Sequence, residues 1–600
     1  MHAVLRRTLC GLAVGCALVA GSATAGPVLE SRDGTSYRHE IAVGATGDTV
    51  VIQVFEPTRL QVGRTYPLVL HSHGYGGSRM VTPSALAQKL RDAGYYVLSI
   101  DERGFGESSG TVRIMSPDFE GQDLVAVLDW AEDLEGLRRR ADGKMMVGSY
   151  GGSYGGMYQF LLAGADPSQR LRVIAPDITP NDLNYALNSN GVVKSGWGLA
   201  LSAGAEGLGI GPFISLLGGN IPGVPALPPL KLRQDPAIYE TLVLATATNR
   251  IRPAGQAFLG YHSVSYFCRG DAPAAQNFLF ATPDPLAVSP RPFPKMDALI
   301  TQGFRDTLFN FNDGLRNYHC LQALGGDVRL LTHQSGHILP LSIKTIPGDL
   351  EEALDPFYDA LTVPGFQDPG GSRTCGSVNL EDATFAWFEA KLRGKTAALK
   401  ELLPNRNFCL SLAEGDAIET RAVKRGGTSF EIDRSIPQFS SALGVAGAVL
   451  GNGAREALLA TQKLYTVPAG GQILAGVPTL RIDIQKVLPV PITDRCTLVS
   501  EEKCTPIWFL GIGHRKAGKR RWDLVDDQLT PIRGFGEHRL QMTGVAERLG
   551  EGDELALLVY GFHMQYPVTW SRYVAAPAGT FVGTVNLPLL DASDIVREGM

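Results

Sequence analysis

The sequence predicts an α/β protein in which a parallel sheet lies between layers of helices, with one long insertion and an all-β domain after it. Between residues 66 and 332, short apolar runs alternate with helix-like segments, as in parallel sheets that are buried on both faces. The alternation stops across residues 176–294, which are rich in Gly, Pro and Asn. After about residue 405, short strands and turns replace the helices, which indicates a β-sandwich.

The individual elements follow from local patterns of apolar residues. Residues 37–55 alternate as an antiparallel strand pair that turns at residues 44–47. The predicted strands of the parallel sheet are 66–71, 95–100, 144–147, 171–175, 298–301 and 328–332, and the helices between or after them are 84–93, 124–131, 315–324 and 383–392. The insertion contains helical pieces such as residues 235–247. The clearest strands of the all-β domain are 477–484, 507–510, 555–560 and 580–585.

The composition supports large buried cores and disfavours nucleic acid as a partner. Of the 600 residues, 44% are hydrophobic and 19% are charged, which is typical of a globular protein. The length exceeds what a single core normally supports, so we expect more than one domain. The 55 Lys and Arg against 60 Asp and Glu give a net charge of -5, and no positive excess is left to bind a phosphate backbone.

The first 25 residues have the pattern of a cleaved export signal. Two arginines precede an apolar stretch at residues 9–20, and Ala23 and Ala25 place small residues at a cleavage site. The stretch is shorter than the ~20 residues that span a bilayer, so a membrane anchor is the weaker interpretation. A lipoprotein modified at Cys16 is a minor alternative. We expect a signal peptide at residues 1–25, a secreted or periplasmic protein, and no membrane partner after cleavage.

The cysteines indicate disulfides rather than a metal site. Removal of the signal peptide takes away two of the eight cysteines and leaves Cys268, Cys320, Cys375, Cys409, Cys496 and Cys504. In an oxidising compartment this even number predicts up to three disulfides, and proximity suggests only the pairing of Cys496 with Cys504. No CxxC or HExxH spacing occurs in the chain, so we expect no metal.

The most informative motif is Gly151-Gly152-Ser153-Tyr154-Gly155, which fits G-x-S-x-G between a predicted strand and a predicted helix. In that context a sharp turn exposes a serine nucleophile, and the flanking glycines let the strand and the helix approach each other. A plain Gly-rich turn is the alternative. The nearby Ser149 does not fit, because a valine stands where its leading glycine should be. We therefore predict Ser153 as the nucleophile.

The nucleophile needs two partners from later in the chain. A serine hydroxyl is activated by a base that an acid orients, and after a turn of this kind the acid precedes the histidine. Asp306 follows the predicted strand 298–301 and is the predicted acid, with Asp313 as the alternative. His337 lies in the loop after the last predicted strand and is the predicted base, with His333 as the alternative.

Two donors should bind the oxyanion of a tetrahedral intermediate. One is the backbone N–H of Tyr154, the residue after the nucleophile. The second is Tyr75, in the loop of residues 73–77, through either its amide or its phenol. Residues 101–110 (DERGFGESSG) could be taken for a dinucleotide loop, but Ser109 replaces the third glycine. We expect no nicotinamide and no other cofactor.

Several segments resemble those of one known family. Residues 151–156 (GGSYGG) are similar to a G-x-S-Y-x-G motif, residues 303–306 (GFRD) to G-W-x-D, and residues 101–110 to a D-x-R-G-x-G-x-S-x-G loop. Weaker similarity is found at residues 387–394 and 552–565. Together they resemble the cocaine esterase and Xaa-Pro dipeptidyl-peptidase family, peptidase family S15.

The resemblance implies a fold and a set of site residues. It implies an α/β-hydrolase core at residues 26–175 and 295–400, with a helical cap inserted at residues 176–294. It also implies a C-terminal jelly-roll, galactose-binding-like domain at residues 405–600. It also implies Ser153, Asp306 and His337 as a catalytic triad and Tyr75 as an oxyanion tyrosine. The family commonly has a Pro-Trp pair shortly before its histidine, and this chain has Gln-Ser-Gly there.

We therefore expect a secreted serine hydrolase that cleaves ester or amide bonds of small acyl substrates through an acyl-enzyme. An Xaa-Pro dipeptidyl-peptidase is the alternative, and it would need a carboxylate for the substrate ammonium, for which Asp177 and Asp182 are candidates. A non-catalytic binding protein is the third candidate. The expected partner is a small ester, amide or short peptide, and the oligomeric state is left open.

Overall fold

The computed structural model describes residues 26–44, 47–205, 233–337, 373–436, 456–486, 505–571 and 578–599. The first five elements are strands, and from β5 to the insertion strands alternate with helices. The elements are β1 (Arg32–Asp33), β2 (Ser36–Val43), β3 (Asp48–Phe55), β4 (Arg59–Leu60), β5 (Leu68–Ser72), helix Ala85–Ala93, β6 (Tyr96–Ile100), helix Glu120–Ala131, β7 (Val147–Gly152), helix Tyr154–Ala165 and β8 (Val173–Asp177).

The insertion is helical, and the strand and helix alternation resumes after it. The helices are Leu183–Asn188, Ser195–Ala205, Pro236–Thr248, Pro253–Tyr261 and Val264–Arg269. They are followed by β9 (Asp297–Gly303), helix Phe311–Gln322, β10 (Val328–His333), β11 (Thr374–Cys375), β12 (Val378–Asn379) and helices Leu380–Arg393 and Ala397–Leu402.

The rest of the described chain is almost entirely strand. Its elements are β13 (Phe408–Ala413), β14 (Asp416–Thr420), β15 (Thr428–Ile436), β16 (Glu456–Thr466), β17 (Gln472–Gly476), β18 (Thr479–Gln485), β19 (Ile507–Arg515), β20 (Asp523–Leu524), β21 (Thr530–Arg533), β22 (Gly536–Gln541), β23 (Val545–Leu549), β24 (Glu554–His563), β25 (Gly579–Leu587), β26 (Leu589–Leu590) and β27 (Ile595–Glu598). A one-turn helix at residues 525–527 separates β20 from β21.

A central sheet of eleven strands organises the molecule, in the order β2-β3-β6-β5-β7-β8-β9-β10-β13-β14-β27. The strands from β6 to β13 along this order run parallel, and the remaining pairs at both ends are antiparallel. Because parallel strands end at one edge, the loops after β5, β7, β9 and β10 meet there. The mixed α/β class predicted from the sequence is thus confirmed.

Local sequence sets the helices that cover the sheet, as the helix Ala85–Ala93 shows. Ser84 caps its N-terminus by accepting the N–H of Ala87, and Gly94 ends it with a φ of 90°. Leu86 and Leu90 lie one turn apart and are both buried in a core that includes side chains of β5 and β6. An apolar stripe and two caps therefore suffice to place this helix on the sheet.

The strands β15 to β26 form what we call the C-terminal β region. One sheet has the order β15-β25-β18-β22, and another has β16-β24-β19-β20, with β21 also paired to β19. Side chains from both sheets share one buried core, which includes Ile432, Ile482, Trp508, Leu557 and Phe581. The region is consistent with the predicted β domain.

The strands that follow the predicted boundary at residue 405 extend the central sheet instead of the C-terminal β region. β13 pairs with β10 through Leu331 and Cys409, and β27 pairs with β14. Phe408 and Leu410 lie in the core of the α/β unit. A short apolar strand has the same local pattern in either sheet, so its pairing could not be predicted from the sequence.

Two disulfides join described residues. Cys268–Cys320 links a helix of the insertion to the helix Phe311–Gln322, and Cys375–Cys409 links β11 to β13. The sequence did not indicate these pairings, because the cysteines are 52 and 34 residues apart. Cys496 and Cys504, which proximity suggests as a pair, lie outside the described residues, as does the predicted signal peptide.

The described part of the chain was also searched for membrane-spanning helices. No helix in it combines the length and the apolar character needed to cross a bilayer.

Candidate active site

Ser153 lies in a tight turn between β7 and the helix Tyr154–Ala165. Its φ of 59° and ψ of −121° are rare for residues other than glycine. A Cβ on Gly151 would lie 2.5 Å from the carbonyl oxygen of Gly155 and 2.8 Å from that of Ser72. A Cβ on Gly155 would also run into the Ser72 carbonyl. The two glycines of the motif are thus required by the close approach of β5 to the turn.

Ser153, His337 and Asp306 form one hydrogen-bonded chain at the carboxyl edge of the sheet. His337 Nε2 lies 2.8 Å from Ser153 Oγ, and His337 Nδ1 lies 2.6 Å from Asp306 Oδ2. The other carboxylate oxygen of Asp306 accepts the backbone N–H groups of Leu308 at 2.9 Å and Phe309 at 2.7 Å. Asp306 is fully buried and His337 nearly so. This arrangement of hydroxyl, imidazole and carboxylate suits nucleophilic catalysis.

The loop after β10 places the imidazole through its backbone. Gly336 has a φ of 147°, and a Cβ there would lie 2.7 Å from the Cβ of Asp306. The carbonyl oxygen of His337 accepts the backbone N–H of Thr307 at 2.7 Å and its hydroxyl at 3.0 Å. The glycine before His337 therefore allows the histidine to reach the carboxylate.

The two alternative residues take part in other hydrogen-bond networks. Asp313 is buried and accepts the backbone N–H of Asn181 at 2.9 Å, and burial raises its pKa to about 7. His333 lies 3.0 Å from a carboxylate oxygen of Asp177 and 3.0 Å from the hydroxyl of Ser335. The structure therefore brings the predicted acid and base, rather than these alternatives, to Ser153.

The two carboxylates considered for a substrate ammonium have partners within the protein. Asp177 pairs with Arg373 at 2.7 Å as well as with His333. Burial alone would raise the pKa of Asp177, but Arg373 and His333 outweigh it and hold that pKa well below its usual range. Asp182 caps the helix that follows it and lies 3.3 Å from Arg269.

The side chains of the two tyrosines predicted to supply the oxyanion donors pack against each other. Tyr154 is the first residue of its helix, where a backbone N–H has no acceptor within the helix. Its ring contacts the ring of Tyr75, with the centroids 5.2 Å apart. The phenol of Tyr75 donates to Gln234 Oε1 at 2.8 Å. The hydroxyl proton of Tyr75 is thus already engaged by a side chain of the protein.

The charged groups of the Gly-rich loop, residues 101–110, pair with other groups of the protein. Its Arg103 is buried and donates to both carboxylate oxygens of Asp123 at 2.7 Å, and it also pairs with Asp48. Asp101 is fully buried and pairs with Arg79. The charged groups of this loop thus stabilise the fold. Across the described residues, no set of three or more His, Cys, Asp or Glu side chains is placed to hold a metal ion.

A family model matches part of the chain, and a solved structure matches nearly all of it. The model of the X-Pro dipeptidyl-peptidase (S15) family matches residues 46–208. The crystal structure of a CocE/NonD family hydrolase from Staphylococcus aureus covers 93% of this chain and 94% of its own, with a TM-score of 0.53 and 12% sequence identity. The family match supports a relationship to the S15 family over residues 46–208. At that level of identity the structural likeness shows the shared α/β fold.

Two curated proteins from Escherichia coli also match part of the chain. Both are described as an uncharacterized 31.7 kDa protein in the traX-finO intergenic region. They are 32% and 31% identical over 113 residues, which is 19% of this chain and 37% of each relative. The match thus spans little more than a third of the length of these relatives.

The S15 match at residues 46–208 contains the predicted nucleophile and both predicted oxyanion residues. The predicted acid and base lie beyond it in sequence, and the fold returns them to the nucleophile from the loops after β9 and β10. The family match therefore does not include Asp306 and His337, and their positions are known only from the structure of this chain.

The sequence did not predict the insertion residues that border the site. The ring of Trp197 meets the imidazole of His337 edge to face, with the centroids 5.9 Å apart. Lys194 is buried and donates to the backbone carbonyls of Thr307 at 2.7 Å and Leu308 at 3.1 Å. Burial lowers the pKa of Lys194 to about 8. No local motif marks these residues, because only the folded insertion brings them to the site.

Proposed function

We propose that this chain is an exported serine hydrolase that cleaves esters or amides of small acyl substrates. The observation that carries the proposal is the hydrogen-bonded chain from Ser153 through His337 to Asp306, at 2.8 and 2.6 Å, on a G-x-S-x-G turn. The support for the S15 family points to the same reaction class.

In the first half-reaction, the carbonyl carbon of the substrate is attacked by Ser153. His337 accepts the proton of the serine hydroxyl, and the buried carboxylate of Asp306 stabilises the imidazolium. His337 then gives the proton to the departing alcohol or amine, the bond to that group breaks, and an acyl-serine ester is left. In the second half-reaction water attacks this ester, His337 takes the proton of the water and returns it to Ser153, and the acid product leaves.

The negative charge of each tetrahedral intermediate falls on the former carbonyl oxygen. We assign its stabilisation to the backbone N–H groups of Tyr154 and Tyr75. The free first turn of the helix at Tyr154 adds a favourable dipole at this position. The hydrogen bond from the Tyr75 phenol to Gln234 supports an amide rather than a hydroxyl donor there.

An ester substrate is favoured over an Xaa-Pro peptide. A dipeptidyl peptidase has to neutralise the ammonium of its substrate, and the two carboxylates considered for this task, Asp177 and Asp182, already pair with arginines. The family description, which names an X-Pro dipeptidyl-peptidase, supports that activity as the second candidate. A binding protein without catalysis is disfavoured by the hydrogen bonds that connect the three site residues.

The proposed location is outside the cytoplasm. The arginines and apolar stretch ahead of Ala25 support export, and the two disulfides support an oxidising compartment. The mass of the mature protein tests this location. A chain that begins at Gly26 is expected, and an exported chain that keeps residues 1–25 would argue against cleavage there.

Steady-state kinetics test the proposed reaction. Wild-type protein is expected to hydrolyse p-nitrophenyl acetate or butyrate faster than Ala-Pro or Gly-Pro p-nitroanilide. Ser153→Ala should lose roughly 10³-fold or more in kcat, whereas Ser149→Ala, the nearby serine outside the motif, should remain active. Full activity of Ser153→Ala would rule out the proposed nucleophile, and faster cleavage of the anilides would favour the dipeptidyl peptidase.

A further inference from the structure

The turn that carries Asp306, residues 304–309 and called here the acid turn, is held through its backbone carbonyls. Gln528 Nε2 donates to the carbonyls of Phe304 at 2.7 Å and Asp306 at 3.0 Å. Lys194 donates to the next two carbonyls along the turn, and Gln302 to that of Phe309 at 2.6 Å. Because buried carbonyls need donors, these side chains fix the position of the turn.

Gln528 reaches the acid turn from the C-terminal β region. It lies 222 residues after Asp306 in sequence and is buried. Its neighbour Asp527 forms an ion pair with Arg305, with nitrogen to oxygen distances of 3.1 and 2.9 Å. Asp527 therefore pairs with the guanidinium of Arg305. Gln528, the next residue of the same short turn, donates to the carbonyls of the residues before and after Arg305.

The backbone of that short turn, residues 525–528, adopts a rare conformation. Asp526 and Asp527 have φ values of 53° and 58°, in the left-handed region that non-glycine residues seldom occupy. The carboxylate of Asp526 accepts the N–H of Ala546 at 2.7 Å, and Gln565 donates to the carbonyl of Asp527 at 2.7 Å. Such strain persists only where the surrounding structure enforces it, and here it directs Gln528 toward the acid turn.

We propose that Gln528, together with Lys194, is a positioning residue for Asp306, so that the C-terminal β region completes the catalytic site. This inference rests on the proposed serine hydrolase function. Both oxygens of the Asp306 carboxylate are bound by groups of the turn and by His337, so a shift of the turn moves the carboxylate relative to the imidazole. Asp306 acts through His337 and not on the substrate, so the loss should fall on kcat and leave KM nearly unchanged.

The variant Gln528→Leu tests the proposal, because it keeps the size of the side chain and removes both donated hydrogen bonds. The matched control is Gln472→Leu, since Gln472 donates its amide to the carbonyl of Leu590 at 2.6 Å, also within the C-terminal β region. In the hydrolysis of p-nitrophenyl acetate, we expect kcat of Gln528→Leu to fall about tenfold to a hundredfold, with KM within about twofold of the wild type. The control should retain wild-type kcat, whatever its loss of thermal stability.

A kcat of Gln528→Leu equal to that of the control would overturn the proposal for this residue. If Gln528→Leu does not fold, Lys194→Met tests the proposal instead. Its control is Lys424→Met, because Lys424 also donates to a backbone carbonyl, that of Leu589 at 2.8 Å. A selective loss of kcat in Lys194→Met supports positioning of the acid turn, and equal kcat in the two lysine variants contradicts it. Failure of the proposed function itself is recognised separately, because the wild type would then not react with a fluorophosphonate.

Discussion

Ser153 presents its hydroxyl from a backbone conformation that costs on the order of 1–3 kcal/mol. The cost is offset by the packing of β5, β7 and the following helix, which leaves no room for a side chain at Gly151 or Gly155. The two glycines of the G-x-S-x-G motif are thus required because a Cβ at either position would clash with backbone carbonyl oxygens. Because that cause is local, the sequence alone was enough to predict Ser153 as the nucleophile.

Gly336 is expected to matter for catalysis because of its place against the acid. Gly336→Ala would put a Cβ 2.7 Å from the Cβ of Asp306, at a φ of 147°. The histidine and the carboxylate should separate, and kcat should fall roughly tenfold to a hundredfold. The control is Gly325→Ala, which also has a positive φ but nothing within 4 Å of the added carbon. Equal activity in the two variants would show that the added Cβ does not separate His337 from Asp306.

The identity of the acid can be tested with two amide substitutions. Asp306→Asn keeps the shape of the side chain and removes the charge that supports the imidazolium, so kcat should fall by about 10³- to 10⁴-fold. Asp313→Asn should change kcat by less than about tenfold, because the carboxyl group of Asp313 accepts the backbone N–H of Asn181, whereas His337 is bound by Asp306. A greater loss in Asp313→Asn than in Asp306→Asn would reassign the acid.

Among the elements, those with strong periodic patterns were predictable and those defined by pairing were not. The strands β5 to β10 and the helices beside them follow from runs of apolar residues. The addition of β13, β14 and β27 to the central sheet depends on hydrogen bonds between segments far apart in sequence, as at Leu331 and Cys409. Local pattern carries no information on such partners.

The disulfide Cys268–Cys320 is expected to stabilise the attachment of the insertion. It closes a loop of 52 residues, for which loop entropy predicts about 4 kcal/mol. The double variant Cys268→Ser with Cys320→Ser should lower the free energy of unfolding by roughly 2–4 kcal/mol in urea denaturation. In the exported wild type neither cysteine should react with a thiol reagent in the folded state. Reaction of both would show that the bond does not form.

At the scale of the whole molecule, buried carboxyl groups should make stability depend on pH. Glu102 is buried and accepts the hydroxyl of Ser72 at 2.7 Å, and burial raises its pKa from 4.5 to about 8. The folded protein therefore keeps this proton where the unfolded chain has lost it, and the free energy of unfolding should fall as pH rises between these two values.

Glu102→Gln should remove this part of the pH dependence. Relative to the wild type, the variant should gain stability between about pH 5 and about pH 8, by at most about 1.4 kcal/mol per pH unit. Urea denaturation across this range measures the gain, with the exposed Glu414→Gln as the control. The same pH slope in all three proteins would show that Glu102 is not protonated in the folded state.

The contacts between distant parts of the chain were the feature that the sequence predicted least. The sequence indicated an α/β unit, an insertion and a β region, and it predicted a nucleophile, an acid and a base in loops at one edge of the sheet. It did not indicate that the insertion and the C-terminal β region both reach the acid turn, through Lys194 and Gln528. Those contacts join residues more than 100 positions apart, and polar residues in loops carry no pattern that identifies such partners.

Covalent labelling with a fluorophosphonate tests the proposed nucleophile most directly. The probe phosphonylates a serine that a neighbouring base activates, and peptide mass spectrometry then identifies the modified residue. We expect the folded wild type to be modified once, at Ser153, and Ser153→Ala to remain unmodified. A folded wild-type protein that is not labelled, or that is labelled at another residue, would contradict the assignment of Ser153, His337 and Asp306 as a catalytic unit.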